Sequence, residues 1–482
     1  MAEINEYEIV VGLEVHAQLL TRSKLFCGDS TLFGQEPNTQ VSIISLAHPG
    51  TLPKMNTEAI QMAVKLGLAC HCDIVQHNYF ARKNYFYPDL PKGYQVSQHT
   101  TPICKNGYVD VILGEAPRSI RLNRIHIEED AGKSLHDESS PYSNIDYNRA
   151  GMPLLEIVTE PDIRSADEAF AYVTALRKLV RHLGVCDGNM EQGSLRCDVN
   201  ISVRIKGDEK LGTKVEIKNL NSIRFIKKAI EYESKRLISL HQKGETILQQ
   251  TRGLKEEDFT TYPIRTKEDE DDYRYFAEPD LPPFFITDDM IEAIRIQMPS
   301  STEEIKKELT SVLQLPEYDA IQLSDDIELA NYFKEIIKET TNYKAAANWT
   351  LGPVKNYLSA NELSMDNFVV EASSIARLIN LIDEGKINFG IASQKIFPDL
   401  IGNPLLDIET LIQEKELALE TSGSSIDSLI HAALEKHSQK ITEYKKGKKG
   451  LISLFVGEVM KLSNGKADAR LVTDKIIEKL KA

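Results

Sequence analysis

The first strand of the chain is predicted at Glu8-Ile9-Val10-Val11-Gly12-Leu13-Glu14-Val15-His16, because β-branched residues dominate this stretch. Successive side chains of a strand point to opposite faces, so Glu14 and His16 share one face and the apolar residues around them share the other. A carboxylate and an imidazole on one face can chelate a cation or move a proton, but a lone pair of this kind is more often part of a solvated face. Whether this pair belongs to a functional site depends on whether other strands carry the same pattern.

Three later stretches repeat the pattern. Residues 124–130, 195–204 and 214–219 alternate between apolar residues and charged or amide residues, as half-buried strands do. Their polar sides carry Arg124, His126, Glu128, Asp130, Arg196, Asp198, Asn200, Arg204, Glu216 and Lys218. Four strands that direct carboxylates, imidazoles and guanidinium groups to one face predict a single sheet whose polar face is a functional site.

Length and charge narrow the class of protein. A chain of 482 residues predicts two to four domains. The formal net charge of −15 argues against a protein that coats nucleic acid by bulk charge, although a local basic patch is compatible with it. Six cysteines in so long a chain do not make a disulfide framework, and no run approaches the roughly 20 apolar residues of a membrane-spanning helix. We expect a soluble, cytoplasmic protein with no membrane partner.

The predicted elements divide the chain into three parts. Residues 1–298 mix short strands with a few long helices, which predicts an α+β domain. Helical patterns then follow one another, which predicts an all-α domain over 299–407 and a small all-α tail domain over 408–482. The tail concentrates basic residues, which suits either contact with a phosphate backbone or a solvated surface. The basic residues singled out are Lys445, Lys446, Lys448, Lys449, Lys461 and Lys466.

No standard nucleotide-binding motif is present. Ala131-Gly132-Lys133-Ser134 ends like a phosphate-binding loop, but the glycine needed five residues earlier is Ile127. Clustered carboxylates suit Mg²⁺ instead, because this ion takes oxygen ligands and bridges them to phosphates. Alternation favours Glu128 over Glu129 as a ligand, whereas a β-bulge would reverse the choice. The candidate ligands are Glu14, His16, Glu128, Glu129, Asp198 and Glu216.

Two further stretches leave alternatives open. Residues 82–92 interleave basic, amide and aromatic residues, which suits either a stacked nucleobase with its phosphate or a partner interface. Cys70-His71-Cys72 has no second ligand pair nearby, so a buried thiol is favoured over zinc binding.

Eight distinctive stretches follow one another over essentially the whole chain. They are GLEVH from Gly12, RKNYFYPDLPKGYQVSQ from Arg82, RIHIEEDAGKS from Arg124, DYNRAGMPLLEIVTEPD from Asp146, EQGSLRCDVNISVR from Glu191, KVEIKNLNS from Lys214, DDYRYFAEPDLPP from Asp271 and VGEVMKLSNGKADARLV from Val456. Together they resemble the B subunit of the bacterial glutamyl/aspartyl-tRNA amidotransferase family. The family's usual proline near the end of the last stretch is Ala469 here.

The resemblance implies a cradle-like first domain on a mainly antiparallel sheet and a two-step ligase reaction with glutamine as amido donor. The family's B subunit binds mischarged Glu-tRNA(Gln) or Asp-tRNA(Asn) and uses ATP and Mg²⁺ to phosphorylate the side-chain carboxylate. It then receives ammonia from the amidase (A) subunit, in a heterotrimer with a small C subunit. The resemblance assigns metal binding and phosphoryl transfer to the candidate ligands above, the ammonia path to Lys83 and Lys92, and tRNA contact to the basic tail.

One departure from the family concerns zinc. Many relatives carry four cysteines after the first strand, whereas here Cys27 remains and Asp29, Ser42 and Ser45 stand at the other positions. We therefore expect no zinc site, and His48 does not replace the missing ligands.

Two other functions are compatible with parts of the sequence. A non-catalytic tRNA-docking subunit would use the acidic sheet only to bind a partner, and a stand-alone metal-dependent hydrolase would act without tRNA. The number of carboxylates on separate strands argues against the first, and the basic tail argues against the second. The sequence does not decide between the Glu and Asp esters, and it shows no glutaminase signature, so the ammonia must come from another chain.

Overall fold

The computed structural model describes residues 6–114, 116–136, 141–266, 273–361, 363–419, 423–445, 447–463 and 465–481. They belong to two compact units, Met1–Pro299 and Ser300–Ala482. The first unit combines strands with helices and the second is helical, which confirms the predicted α+β class. None of the helices in the described ranges is long and apolar enough to cross a lipid bilayer.

The strands of the described residues all lie in the first unit. They are β1 Tyr7–Gln18, β2 Asp73–Ile74, β3 His77–Asn78, β4 Ala81–Asn84, β5 Tyr94–Ser97, β6 Cys104–Lys105, β7 Tyr108–Leu113, β8 Ala116–Glu129, β9 Lys133–His136, β10 Ser143–Asp146, β11 Pro153–Thr159, β12 Leu195–Ile205, β13 Val215–Leu220, β14 Gln250–Leu254, β15 Thr261–Thr266, β16 Phe276–Ala277 and β17 Phe284–Phe285.

The helices of the first unit are α1 Thr57–Ala69, α2 Ala166–His182, α3 Ile223–Gln242 and α4 Asp288–Ile296. Each begins after a polar residue whose side chain accepts a hydrogen bond from a backbone N–H of the first turn. These capping residues are Asn56, Ser165, Ser222 and Thr287.

The second unit contains the remaining α-helices of the described residues. They are α5 Thr302–Lys307, α6 Glu317–Ser324, α7 Ile327–Ile336, α8 Tyr343–Trp349, α9 Lys355–Ala360, α10 Ala372–Asp383, α11 Phe389–Ile391, α12 Phe397–Gly402, α13 Ile408–Glu414, α14 Gly423–Lys436, α15 Ser438–Lys445, α16 Ile452–Leu462 and α17 Ala469–Lys481. One hydrophobic core is built from residues between 305 and 417, and another from residues between 426 and 480. The three-domain division with boundaries at 298 and 407 stays a prediction.

The main sheet of the first unit has thirteen strands. Ten of them follow in the order β15-β14-β13-β12-β1-β11-β8-β5-β4-β16. Every neighbouring pair in this row is antiparallel except β13 and β14. The sheet is therefore mainly antiparallel, as the family resemblance implied, and β1 lies near its centre.

The two faces of the sheet differ as the alternation in β1 predicted. Val11, Leu13 and Val15 are fully buried and join one hydrophobic core with residues of α1, α2 and α3. Glu14 and His16 are only partly buried and point away from that core. The helices thus cover one face of the central strands and leave the polar face open to a ligand.

The stretch that ends like a phosphate-binding loop is a packing point between β8 and β9. The N–H of Gly132 donates to the carbonyl oxygen of Asp89 at 2.7 Å. A Cβ atom added at Gly132 would lie 2.8 Å from that oxygen and 2.9 Å from the carbonyl oxygen of Asp146. The glycine is therefore required by two backbone segments that pass close to it.

We expect Gly132→Ala to lower the free energy of unfolding by about 1–3 kcal/mol, because backbone must shift to admit the methyl group. Gly28→Ala is the matched control, since nothing lies within 4 Å of an added Cβ at that position. Denaturant titration of both variants measures the difference. Equal stability of the two variants would contradict the close packing at Gly132.

Candidate active site

The order of the central strands brings polar residues from distant segments side by side. On β1, Glu14 is paired with Asp198 of β12, and His16 is paired with Glu156 of β11. Glu156 is paired in turn with His126 of β8. Antiparallel partners on one face have their side chains within contact distance, so this register builds a continuous row of acidic and imidazole groups.

These residues line a cavity of about 460 Å³, a size typical of ligand-binding clefts. Acidic groups alone would repel a phosphate, but the same cavity also contains cations and aromatic rings. The basic and aromatic lining residues are Lys83, Tyr85, His99, Arg124, Arg196, Lys214, Lys218, Tyr273 and Tyr275.

The first cluster in the cavity, here called the imidazole triad, consists of His16, Glu128 and Glu156. His16 Nε2 is 3.6 Å from Glu128 Oε1 and 3.4 Å from Glu156 Oε2. A second imidazole, that of His126, places its Nε2 3.7 Å from Glu128 Oε2 and 3.5 Å from Glu156 Oε2. Two carboxylates are thus shared by two imidazoles within one small volume.

The charged groups of the imidazole triad shift one another's pKa values. Burial would lower the pKa of His16, but the hydrogen bond to Glu156 and the charges of Glu156, Glu128 and Asp198 outweigh it and raise the pKa to about 9. Burial would raise the pKa of Glu156, but the charges of His126, His16 and Lys83 hold it far below its usual range. In the ion-free protein, Glu156 is therefore ionised and His16 protonated at neutral pH.

The second cluster, here called the carboxylate triad, consists of Glu14, Asp198 and Glu216. Lys218 Nζ lies 3.1 Å from Asp198 Oδ2 and 3.6 Å from Glu216 Oε1. Asn200 Nδ2 donates to Glu14 Oε1 at 2.8 Å. Burial raises the pKa of Glu14, and the nearby charges of Glu156, Glu216 and Asp198 raise it further. The triad thus concentrates more negative charge than Lys218 alone neutralises.

Both triads fit a divalent cation. In each of them the candidate ligand atoms lie within 4.8 Å of one another. An octahedral ion with ligands at about 2.1 Å holds neighbouring ligands about 3 Å apart and opposite ligands about 4.2 Å apart. Oxygen donors suit Mg²⁺ and Mn²⁺. Beside the triads, His126 Nδ1 and Asn200 Oδ1 are buried without a hydrogen-bond partner in the described part of the chain, so the site has polar capacity left for a ligand.

Asp130 shares the polar face but has a structural role. Its buried carboxylate accepts hydrogen bonds from Arg196 Nη2 at 2.7 Å and from Gln18 Nε2 at 2.8 Å. Burial would raise the pKa of Asp130, but the charges of Arg196 and Arg149 lower it. Because its charge is already matched by guanidinium groups, Asp130 orients Arg196 in the cavity and is not available as a metal ligand.

Glu129, one of the predicted ligands, is not part of either triad. Strand β8 pairs with β11 in continuous register from Arg124 to Glu129, so no bulge turns Glu129 towards the site. Its carboxylate accepts the Val96 N–H at 2.7 Å and pairs with Lys92. Glu129 and Lys92 line a second cavity of about 240 Å³ together with Lys24. Alternation favours Glu128, and of the two residues it is Glu128 that lies in the imidazole triad; its role as a ligand stays a prediction.

Both units of the chain match known protein families. The GatB/GatE catalytic domain corresponds to residues 9–292, and the GatB domain corresponds to residues 331–480. The chain belongs to the GatB family. The B subunit of the aspartyl/glutamyl-tRNA(Asn/Gln) amidotransferase of Thermodesulfovibrio yellowstonii is 46% identical over 476 residues, which are 99% of this chain and 100% of the relative. The resemblance found in the sequence motifs is confirmed.

Other GatB relatives show the same extent of similarity. The corresponding B subunit of Caldicellulosiruptor saccharolyticus is 44% identical over 98% of this chain and 99% of its own length. That of Pelagibacter ubique is 43% identical over 99% of this chain and 97% of its own length. The similarity therefore extends over both units and is not limited to the catalytic domain.

In this GatB chain the sequence pattern predicts five of the six members of the two triads, and Glu156 is the one it does not predict. Glu14, His16, Glu128, Asp198 and Glu216 all line the cavity as predicted, although their catalytic roles stay predictions. Glu156 was overlooked because it is the only charged residue of β11, whose other residues are apolar or Thr. A lone carboxylate in an otherwise apolar central strand was the available signal.

The loop that contains Cys27 and Asp29 is closed by hydrogen bonds. The four positions 27, 29, 42 and 45 come together in space. Asp29 Oδ2 accepts the Ser42 N–H at 2.8 Å and the Ser45 hydroxyl, and Cys27 Sγ lies 3.3 Å from Ser45 Oγ. Burial would raise the pKa of Asp29, but the bonds from Ser45 and Ser42 lower it. One thiol, one carboxylate and two hydroxyls make a poor donor set for zinc.

We expect Asp29→Ala to lower the free energy of local opening of residues 27–45 by about 1–3 kcal/mol, because two donors lose their acceptor. Amide hydrogen exchange of this loop measures the change. Asp73→Ala is the control, since Asp73 accepts one exposed hydrogen bond from Asn106. Unchanged exchange in the Asp29 variant would show that other contacts hold the loop.

The basic tail presents its lysines mainly to solvent. Lys445, Lys448, Lys449 and Lys461 are exposed, while Lys466 is partly buried and lies 3.9 Å from Glu416. Lys446 lies outside the described residues. The predicted contact of these lysines with tRNA is not tested by their placement.

Proposed function

We propose that the chain acts as the B subunit of a tRNA-dependent amidotransferase, a ligase that uses glutamine as its amido donor. In this proposal it phosphorylates the side-chain carboxylate of Glu-tRNA(Gln), Asp-tRNA(Asn) or both, and then replaces the phosphate with ammonia. The observation that carries the proposal is the imidazole triad beside the carboxylate triad in one cavity that also contains lysine and arginine side chains.

The chemistry explains why two steps are needed. A carboxylate is a poor electrophile because oxide would have to leave. In the first step a carboxylate oxygen forms a bond to the γ-phosphorus of ATP, and ADP leaves with the electron pair of the broken P–O bond. In the second step ammonia attacks the acyl carbon, phosphate leaves, and one proton of the ammonia ends on the phosphate. The first step needs mainly positioning and charge neutralisation.

The described residues can supply both the positioning and the charge neutralisation. The imidazole and carboxylate triads would hold Mg²⁺, which neutralises phosphate oxygens when it is bound. Arg196 is fixed by Asp130 and Lys218 by the carboxylate triad, so their positive charges are already oriented before the substrate enters. Preorganised charges cost no reorganisation during the reaction.

The proposal includes partners. Because no glutaminase signature is visible in the sequence, ammonia would come from the amidase (A) subunit, in a complex with a small C subunit. The exposed lysines of the tail would contact the phosphate backbone of the mischarged tRNA, a contact that salt weakens. Lys92, paired with Glu129 in the second cavity, remains the candidate residue of the ammonia path.

The test is ADP formation by the co-purified complex without a nitrogen donor. We expect ADP formation to depend on mischarged tRNA, to be absent with uncharged tRNA, and to fall at least 100-fold in Glu14→Ala. Glu8→Ala is the matched control, because Glu8 lies on the same face of β1 but pairs with Arg204 and Arg164. ADP formation that ignores the aminoacyl group, or that survives Glu14→Ala, would favour a docking subunit or a hydrolase.

A further inference from the structure

Lys83 differs from Lys218 and Arg196, two other cations of the cavity, in the groups that surround its charge. Lys218 and Arg196 are paired with carboxylates. For Lys83, no carboxylate of the described residues lies within the 4 Å of an ion pair. Its ammonium nitrogen instead lies 4.9 Å from the ring centroid of Tyr273 and 5.8 Å from that of Tyr85.

The rings around Lys83 are held in place by the sheet. Lys83 is paired with Gln95 across β4 and β5. Its neighbour Asn84 donates two hydrogen bonds, at 3.1 Å to the carbonyl oxygen of Tyr273 and at 2.9 Å to that of Arg274. Tyr273 therefore lies against β4 through its own backbone.

The rings form a continuous series along the cavity. Tyr85 and Tyr273 have centroids 6.2 Å apart, and Tyr273 and Tyr275 have centroids 6.0 Å apart. Tyr275 in turn is stacked on His99 at 4.0 Å. The face of an aromatic ring attracts a cation but provides less neutralisation than a carboxylate. Burial would lower the pKa of Lys83, but the charges of Glu128 and Glu156, both beyond ion-pair distance, help to raise it. The ring faces thus orient an ammonium group that can still bind an anion.

The surroundings of Lys83 favour an anionic ligand over ammonia. A protonated lysine offers three donors and no acceptor. It would hydrogen-bond to the lone pair with which ammonia must attack, and so it is unsuited to guide that nucleophile. Phosphoryl oxygens, in contrast, are acceptors that suit an ammonium group. Lys83 also lines the same cavity as Glu128 and Glu156 of the imidazole triad.

We propose that Lys83, oriented by the ring faces of Tyr85 and Tyr273, binds the phosphoryl oxygens transferred from nucleotide to substrate, and that it does not belong to the ammonia path. This inference rests on the proposed function. In the step concerned, the bond between a carboxylate oxygen and phosphorus forms, the bond from phosphorus to the leaving ADP oxygen breaks, and no proton is transferred. The assignment replaces the one that the family resemblance gave to Lys83.

The experiment compares two reactions of the co-purified complex with mischarged tRNA. The first is ADP formation without a nitrogen donor, and the second is amidation with ammonium chloride in place of glutamine. We expect Lys83→Met to lower both rates by the same factor, about 100- to 1000-fold, and Lys83→Arg to retain more than a tenth of both. If Lys83→Met leaves ADP formation unchanged, whether amidation falls or not, the inference is overturned.

A second pair of variants tests the orienting role of the ring. We expect Tyr273→Leu to lose about tenfold in kcat for ADP formation, and Tyr273→Phe, which keeps the ring, to lose clearly less than Tyr273→Leu. Equal losses in both variants would assign the effect to the hydroxyl and overturn the role of the ring face. If the wild-type complex itself makes no ADP with mischarged tRNA, the proposed function fails, which is distinct from a failure confined to the Lys83 or Tyr273 variants.

Discussion

Glu156→Gln is expected to lower ADP formation dependent on mischarged tRNA by about 100- to 1000-fold, although the change removes only one charge. Glu156 Oε2 lies 3.4 Å from His16 Nε2 and 3.5 Å from His126 Nε2. The amide would remove a candidate cation ligand and leave the two imidazoles without one of their two carboxylate partners. Steady-state kinetics of the complex with saturating mischarged tRNA measures the effect on kcat.

Glu160→Gln is the matched control for this variant. Glu160 directly follows β11, the strand that carries Glu156. It accepts a hydrogen bond from Asn123 at 2.8 Å and lies outside the cavity. We expect the control to retain the wild-type rate. A Glu156→Gln complex that remains as active as the Glu160→Gln complex would remove Glu156 from the site and with it the imidazole triad as a functional unit.

Cation binding is expected to become about tenfold tighter for each unit of pH between about 6.5 and 9. His16 must lose its proton to act as a ligand, and its pKa without a bound ion is raised to about 9. Each ion bound to the imidazole triad below that pH therefore releases one proton. Calorimetric titration of the complex with Mn²⁺ in buffers of different ionisation enthalpy measures both the affinity and the proton release.

His16→Gln is expected to abolish the pH-linked proton release, whereas His431→Gln, at a solvent-exposed position, is expected to leave it unchanged. The same pKa shift stabilises the ion-free fold below about pH 6.5 and loses this effect as the pH rises through about 9. Mn²⁺ affinity that is independent of pH in the wild-type complex would show that His16 does not bind the ion.

The parts of the site that follow from local alternation could be predicted from the sequence. Glu14, His16, Asp198 and Glu216 each lie in phase on a strand whose other face is apolar, so their common face was determined by the period of two. The same period places Glu128, and not Glu129, on the face of the two triads. The structure adds that β8 keeps its register with β11 at this point, which sequence alone could not establish because a bulge has no fixed signature.

The parts that depend on strand order could not be predicted. Glu156 reaches His16 only because β11 lies next to β1, and nothing within β11 encodes its neighbour. The ring contacts of Lys83 depend on Tyr273, which lies far along the chain and reaches β4 through the hydrogen bonds of Asn84. Both cases require long-range packing, so a motif within one segment can single out a residue but does not show which residues it meets.

The most direct test of the account follows an oxygen atom. Glu-tRNA(Gln) or Asp-tRNA(Asn) labelled with ¹⁸O in both side-chain carboxylate oxygens is incubated with the complex, ATP and glutamine, and the released phosphate is analysed by mass spectrometry. Attack of the carboxylate on the γ-phosphorus predicts one ¹⁸O atom in each phosphate molecule formed with the amide product. Unlabelled phosphate would show that water, and not the substrate carboxylate, receives the phosphoryl group, and would contradict the account.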